Sequence, residues 1–215
     1  MKLKKEKPDI AGRKIELGKM LSYQYLHTPR RMLYLISYFE FAARLIGERK
    51  SVLDAGCGEG LGTWLLALEC GRARGIDSNA ELVDTAQRNW TARNVSFECA
   101  DLLKARLSGW DAVVSFDVIE HIYPRNAPLF FKQIKVALTD TGMAIIGTPN
   151  LTANKYASKV AKAGHVNLHS GETLETEMKR HFRNVFVFAA NDEVIHTGYL
   201  PMAHYLIAVG CGKKG

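Results

Sequence analysis

Between residues 51 and 149 short apolar runs alternate with longer amphipathic segments, and this alternation restricts the fold more than any other feature of the chain. "SVLDAG", "ARGID", "VSFECAD", "WDAVVSFD" and "MAIIGTPN" read as strands. "LGTWLLALECG", "NAELVDTAQRNWTARN" and "APLFFKQIKVALTDTG" read as the helices between them, two of them closing near Gly71 and Gly142. Strands that are apolar nearly throughout are covered on both faces, as in a parallel sheet with helices on either side. Another helix is predicted over 30–47 and another over "SGETLETEMKRHF", with Ser170 as its cap. "NVFVFAA" and "AHYLIAVGC" follow with no long helix between them, so they predict a closing antiparallel pair. The expected architecture is α/β: a doubly wound, seven-stranded, mostly parallel sheet. Such sheets bind ligands at the carboxyl ends of their strands, where the strand order reverses.

A chain of 215 residues with 47% hydrophobic content supports one domain with a substantial core. Its net charge of +7 is concentrated at the ends. Residues 1–19 hold seven Lys or Arg against three Asp or Glu, Lys213 and Lys214 add two more, and 20–212 is left at +1. The reading is a basic, flexible tail over 1–19 and a single domain over 20–212, with no basic face for nucleic acid. Weak contact between the tail and an anionic membrane surface, or nucleic acid, is the alternative use of that charge. "MKLKKEKPDIAGRK" has no apolar run behind it, so no secretory signal is expected. "RMLYLISYFEFAARLIG" contains Glu40 and Arg44 and is too short to cross a bilayer. Cys57, Cys70, Cys99 and Cys211 form no CxxC pair and fit reduced thiols. The expected setting is cytoplasmic.

The first strand runs into "DAGCGEG", with Asp54 ahead of Gly56, Gly58 and Gly60. Glycines here permit a tight turn and close approach of a ligand to the backbone. The nicotinamide pattern G-x-G-x-x-G does not fit, because Leu61 and Thr63 stand where its last glycine belongs. Asp54 is poorly placed for a pyrophosphate and well placed near an ammonium group. Asp77 ends the second strand, where a carboxylate accepts both hydroxyls of a ribose. The plainer reading is a turn capping the next helix through Ser78. Asp101 follows the third strand and can accept from an adenine amino group while the Leu102 amide meets the ring nitrogen. A helix cap is its plainer reading.

These residues, in this order and followed by "FDVIEHI", resemble the class I S-adenosylmethionine-dependent methyltransferases. The resemblance implies a sheet of order 3-2-1-4-5-7-6 with the last strand antiparallel, and adenosylmethionine as methyl donor. It assigns Asp54, Gly56, Gly58, Gly60, Asp77, Ser78, Asp101, Leu102 and Phe116 to the cofactor. "LHTPRRMLYLI" is similar to a leader of the ubiquinone-biosynthesis O-methyltransferases, which implies that Arg31 meets the methionine carboxylate. The chain is shorter there between His27 and Pro29, which leaves Arg30 open as the alternative to Arg31.

That group has an acid-rich run after the fourth strand and a histidine after the fifth. Here they correspond to Asp117, Glu120 and His121, and to His165 of "AGHVNLHS". Small-RNA 2′-O-methyltransferases share a comparable set. Both resemblances imply a divalent ion beside the acceptor. From the residues alone, 117, 120 and 121 share a face where the strand exits into a helical turn. Two carboxylates and two imidazoles suit Mn, Fe or Zn. Three readings remain open: a metal set, a metal-free base at His121 or His165, and a structural turn. Of the other histidines, His27 reads as part of a lid, His169 as a cap for the helix near Ser170, and His181 as a helix-end cation. His196 and His204 flank a loop placed to hang over the cleft. The expected activity is methyl transfer to a small molecule, at the hydroxyl of a quinol precursor, a sugar or a phenol. An RNA or other macromolecular acceptor is the alternative enzyme, against the near-neutral body. A non-catalytic adenosylmethionine-binding protein is the third possibility, against the intact glycines and Asp77.

Overall fold

Adjacent residues in the apolar runs point to opposite faces, so each strand feeds two cores. The computed structural model describes residues 14–215. Five parallel strands, β1 (Ser51–Ala55), β2 (Arg72–Asp77), β3 (Val95–Cys99), β4 (Trp110–Phe116) and β5 (Leu138–Pro149), form most of the sheet. β6 (Phe182–Ala190), β7 (Ile195–His196) and β8 (Tyr205–Lys213) complete it in the order β3-β2-β1-β4-β5-β8-β6-β7. β8 is antiparallel to both β5 and β6. The expected order is therefore present, with β8 as its seventh strand and a two-residue eighth strand, β7, added at the edge.

Seven α-helices are described: α1 (Lys19–His27), α2 (Pro29–Ile46), α3 (Leu61–Glu69), α4 (Ala80–Asn89), α5 (Ala127–Ala137), α6 (Lys159–Gly164) and α7 (Gly171–His181). Val52 and Val114 face α2 and α3, where they pack with Phe39, Ala42 and Leu66. Leu53 and Val113, next to them in sequence, face α5 and α7 and pack with Phe130, Phe131, Leu174 and Met178. This period of two places helices on both sides of the sheet.

The helix limits follow local chemistry. Ser170 and Thr173 form a reciprocal capping box at the start of α7, as the sequence pattern predicts. The cap of α4 is Asn79, which accepts from the Glu81 amide at 3.0 Å, so Ser78 is not the cap. α4 stops at Asn89, short of the predicted Asn94. Trp90 is buried with its indole N–H donating to the Glu59 carbonyl at 2.7 Å, and Asn94 donates to the Ala67 carbonyl at 2.7 Å. Those two bonds draw the chain off the helix axis.

The expected boundary at residue 20 falls partly outside the described residues, since 1–13 are not described. Within them, the Glu16 carbonyl accepts from Asn89 at 2.8 Å and the Lys19 ammonium lies 2.8 Å from Glu81, so the ordered body starts before residue 20. At the other end β8 extends to Lys213, whose ammonium donates to the Leu138 carbonyl at 2.8 Å. Among the described residues no helix is long and apolar enough to cross a membrane.

Candidate active site

The carboxyl ends of β1 to β4 border a cleft of about 430 Å³. The chain leaves β1 through a turn in which Gly56, Gly58 and Gly60 have φ of +88°, +52° and +85°. A Cβ on Gly56 would lie 2.2 Å from Val118, so a side chain there collides with the entry to the β4 loop. At Gly58 a Cβ would meet nothing within 4 Å, which leaves the backbone bare to the cleft. The Gly56 and Cys57 amides both donate to the Ile76 carbonyl, at 2.8 and 2.9 Å, and lock the turn against β2.

Asp77 stands at the end of β2, with one carboxylate oxygen accepting from the Gly58 amide at 3.0 Å and the other from the Asn79 amide at 2.9 Å. Asp101 is held by a bond from the Leu103 amide at 2.9 Å. Ser78, Leu102 and Phe116 line the same cleft as Asp77, Asp101 and the three glycines. The bare glycine backbone and two fixed carboxylates at successive strand ends fit a nucleoside with a charged tail.

Two members of the predicted cofactor set lie elsewhere. Asp54 is 1% exposed and turned toward α3, accepting from the Thr63 hydroxyl at 2.6 Å. Burial pushes its carboxyl up to about 7, with the Thr63 bond opposing and the nearby Asp77 charge adding to the rise. Asp54 does not line the cleft, because the strand's alternation points its side chain into the protein. Arg31 lines a neighbouring cleft and lies 3.7 Å from Asp117.

Sequence reasoning passed over Glu59, the residue between the last two glycines. Its buried carboxylate accepts from the Met20 amide at 2.8 Å and the Leu21 amide at 2.9 Å. It therefore caps the N-terminus of α1 from about forty residues away in sequence, satisfying donors that a helix start leaves free. A Cβ at Gly18 would sit 2.3 Å from this carboxylate, so the helix is preceded by glycine. Met20, Leu21 and Gln24 line the cleft, which makes α1 its roof. No signal local to α1 reports this cap: Gly18 precedes the helix and no acid stands in its first turn.

The fourth strand delivers the acidic run. Asp117 is a non-glycine residue at φ +56°, held there by its amide donating to the Gly147 carbonyl at 3.1 Å. Glu120 is 1% exposed and accepts from the Thr148 hydroxyl at 3.0 Å. Burial raises its pKa, and the Asp117 charge raises it further. The Glu120 carbonyl accepts from the Val166 and Asn167 amides at 2.8 and 3.1 Å. These bonds bring the segment after α6 to the end of β4 and set the His165 ring 5.2 Å from the His121 ring.

His121 lines the first cleft, and its Nδ1 lies 3.0 Å from the Gly164 carbonyl. With Nδ1 donating there, Nε2 keeps its lone pair. The His165 pKa is lowered, first by burial and then by His121. Glu120, His121 and His165 each offer an atom, all within 4.8 Å of one another, as a divalent ion requires. Among the described residues Glu120 Oε1 and His165 Nδ1 are buried without a hydrogen-bond partner, which also fits a cation. Asp117 is outside that group, so the predicted four-residue set contracts to three in this structure.

The second cleft, of about 590 Å³, adjoins the first and shares Gln24, Leu35 and Asp117 with it. Tyr34, Tyr38 and Tyr205 line it, together with His27, His204, Arg30 and Arg31. His196 lies outside both clefts and accepts from the Gly198 amide at 3.0 Å. His169 is buried beside Phe131, in a bridge with Asn150 rather than in a cap. His181 stacks on Phe131 at the end of α7.

Residues 52–142 match the family described as methyltransferase domain. That match covers less than half of the chain and, in a sheet of this order with the glycine turn in place, supports a class I S-adenosylmethionine-dependent methyltransferase. Within the class, its sequence is similar to the ubiquinone-biosynthesis O-methyltransferases. It is 28% identical over 141 residues to that enzyme of Rickettsia akari (strain Hartford), covering 64% of this chain and 55% of the relative. The chain thus spans little more than half the length of this curated relative. Solved structures share the fold. A methyltransferase of Thermotoga maritima, described as a possible histamine N-methyltransferase, superposes with a TM-score of 0.71 at 16% identity, covering 91% of this chain and 96% of that one. The N-methyltransferase NodS of Bradyrhizobium japonicum WM9, in complex with S-adenosylhomocysteine, gives 0.60 at 18% identity, covering 86% and 85%.

Proposed function

We propose that the chain transfers a methyl group from S-adenosylmethionine to a hydroxyl of a small molecule. The observation that carries this reading is the meeting of two clefts at Asp117, with the His121 imidazole on the wall of the first. Bound adenosylmethionine supplies an electrophilic methyl group on a sulfonium. Asp77 receives the ribose hydroxyls, Asp101 the adenine amino group, and the Leu102 amide the ring nitrogen. The turn from Gly56 to Gly60 and the Phe116 ring close around the nucleoside and tail. Arg31 reaches the methionine carboxylate from the second cleft. α1, latched by Glu59, excludes water from above.

The acceptor enters by the second cleft, which brings its hydroxyl to the shared wall beside Asp117. His121 Nε2 takes the hydroxyl proton, and His165 keeps a neutral ring behind it. Asp117 orients the acceptor. Glu120, fixed to Thr148 and to the 166–167 backbone, holds the two histidines together. The three-donor cluster supports a second reading, in which Glu120, His121 and His165 would hold a divalent ion that would supply Lewis acidity to the acceptor hydroxyl. The free cysteines among the described residues favour a reducing, cytoplasmic setting.

The test is transfer of labelled methyl from adenosylmethionine to a panel of catechols, sugars, phenols and amines, with and without chelator. Methylated hydroxyls support the reading. Product from amines alone, or only from an added RNA pool, contradicts it.

A further inference from the structure

We infer that Tyr205 is a further catalytic residue, whose hydroxyl donates a hydrogen bond to the acceptor oxygen as that oxygen attacks the methyl group. The inference rests on the methyl-transfer reading above and adds a donor to its reacting centre.

Tyr205 opens β8 beside the carboxyl end of β5, paired with Pro149 on one side and Ala190 on the other. Its ring stacks on Tyr38 of α2, with centroids 4.6 Å apart and planes 17° from parallel, and it lines the second cleft. The hydroxyl reaches the seam between the clefts because position 147 carries no side chain. A Cβ on Gly147 would lie 2.8 Å from the Tyr205 hydroxyl and 2.6 Å from the ring of Phe116, which lines the first cleft. Gly147 also supplies the carbonyl that holds Asp117, the acid both clefts share.

Tyr205 is 7% exposed, yet among the described residues its hydroxyl has no hydrogen-bond partner. An unpaired buried hydroxyl is unfavourable, and phenylalanine fills nearly the same space without that cost. Two neighbouring hydroxyls are engaged: Tyr38 donates to the Asp192 carbonyl at 3.4 Å and Thr148 to Glu120 at 3.0 Å. Burial, then the charges of Asp117 and Glu120, raise the Tyr205 pKa well above its ordinary value, with Arg31 opposing. The phenol therefore keeps its proton and serves as a donor rather than a base. A cationic sulfonium is no partner for a donor, and the methionine carboxylate goes to Arg31, so the acceptor oxygen is the partner left. In the step, this oxygen bonds to the methyl carbon as the carbon–sulfur bond breaks, and that bond's electron pair stays on sulfur. The acceptor proton passes to His121 Nε2. Tyr205 steadies the negative charge that builds on the oxygen and fixes one of its lone pairs, leaving another for the methyl.

The experiment uses the full chain and Tyr205→Phe, which keeps the ring and its stack on Tyr38. Each is saturated with S-adenosylhomocysteine and given 4-nitrocatechol, whose anion is followed by its visible absorbance as pH is varied. The bound probe should ionise at a pH about one unit lower in the parent, a tenfold difference in its ionisation constant. With labelled adenosylmethionine and the same probe, kcat should fall about 10–10²-fold in the variant, with KM and S-adenosylhomocysteine affinity nearly unchanged. The variant's melting temperature should match or exceed the parent's. Equal ionisation in parent and variant overturns the inference and makes the hydroxyl a packing group. A loss of S-adenosylhomocysteine affinity in the variant also overturns it, by placing the hydroxyl on the cofactor. Methylation at equal rates in both proteins keeps the methyl-transfer reading and overturns this one. A shifted ionisation with no methylation by the parent supports the donor contact and removes O-methylation. No binding of the probe to the parent overturns both.

Discussion

Asp54→Asn is expected to stabilise the protein in a pH-dependent way. Asp54 is 1% exposed, and its one side-chain partner among the described residues is the Thr63 hydroxyl at 2.6 Å. Burial holds its folded pKa at about 7 against an ordinary 3.8. A raised carboxyl binds its proton more tightly in the folded state, so its effect on stability is neutral below pH 3.8 and increasingly unfavourable up to about pH 7. Above that the penalty is constant. At about 1.4 kcal/mol per pH unit the full penalty is at most about 4 kcal/mol. An asparagine oxygen still accepts from Thr63, while its amide hydrogens add a cost that does not vary with pH. The slope is therefore the diagnostic. Urea unfolding at pH 5, 6, 7 and 8 should show the variant gaining on the parent by about 1 kcal/mol per unit up to pH 7 and levelling off above it. A difference that is flat across this range, or one that shrinks as pH rises, refutes the placement of a raised, buried carboxyl at Asp54.

Other outcomes follow from the site. Glu59→Ala removes two bonds at the start of α1 and should weaken S-adenosylhomocysteine binding about tenfold while exposing residues 14–27 to protease. Glu59→Gln, which keeps an acceptor, should recover part of both effects, and an unchanged affinity in both variants contradicts the roof. His121→Ala should lower kcat by about 10²–10⁴-fold with cofactor affinity retained, measured by labelled methyl transfer. Chelator should leave parent turnover intact if the base acts alone. Loss of turnover, restored by added divalent metal, selects the metal reading.

The strands were legible because buried parallel strands must be apolar on both faces, as Leu53 and Val52 are on β1, whereas their order came from the family resemblance. That Asp77 and Asp101 line one cleft was legible because strand ends in this fold lie side by side, so the two needed only their positions in sequence. α1 was not legible. Leu21 is its one buried residue, while Met20, Tyr23, Tyr25 and Leu26 are exposed, so no periodic stripe exists to read. Its start is set by Glu59, and no local pattern reports a cap supplied from another loop. The inward turn of Asp54 was hidden too, since the glycine spacing is the same whichever way that carboxyl points. His165 was named from resemblance, whereas the Glu120 carbonyl bonds that bring it beside His121 are tertiary and have no signature in sequence.

The central claim is that the glycine turn, Asp77 and Asp101 form a nucleoside site at the ends of β1 to β3. Calorimetric titration with S-adenosylhomocysteine, run on the parent chain and on Asp77→Ala, tests it most directly. The Asp77 carboxylate is fixed by the Gly58 and Asn79 amides at 3.0 and 2.9 Å, so its removal takes away a placed acceptor for the ribose. The predicted result is one site per chain, with the variant weaker by about one to two decades, equivalent to about 1.5–3 kcal/mol. No saturable binding to the parent, or equal affinity in a folded Asp77→Ala variant, contradicts the account.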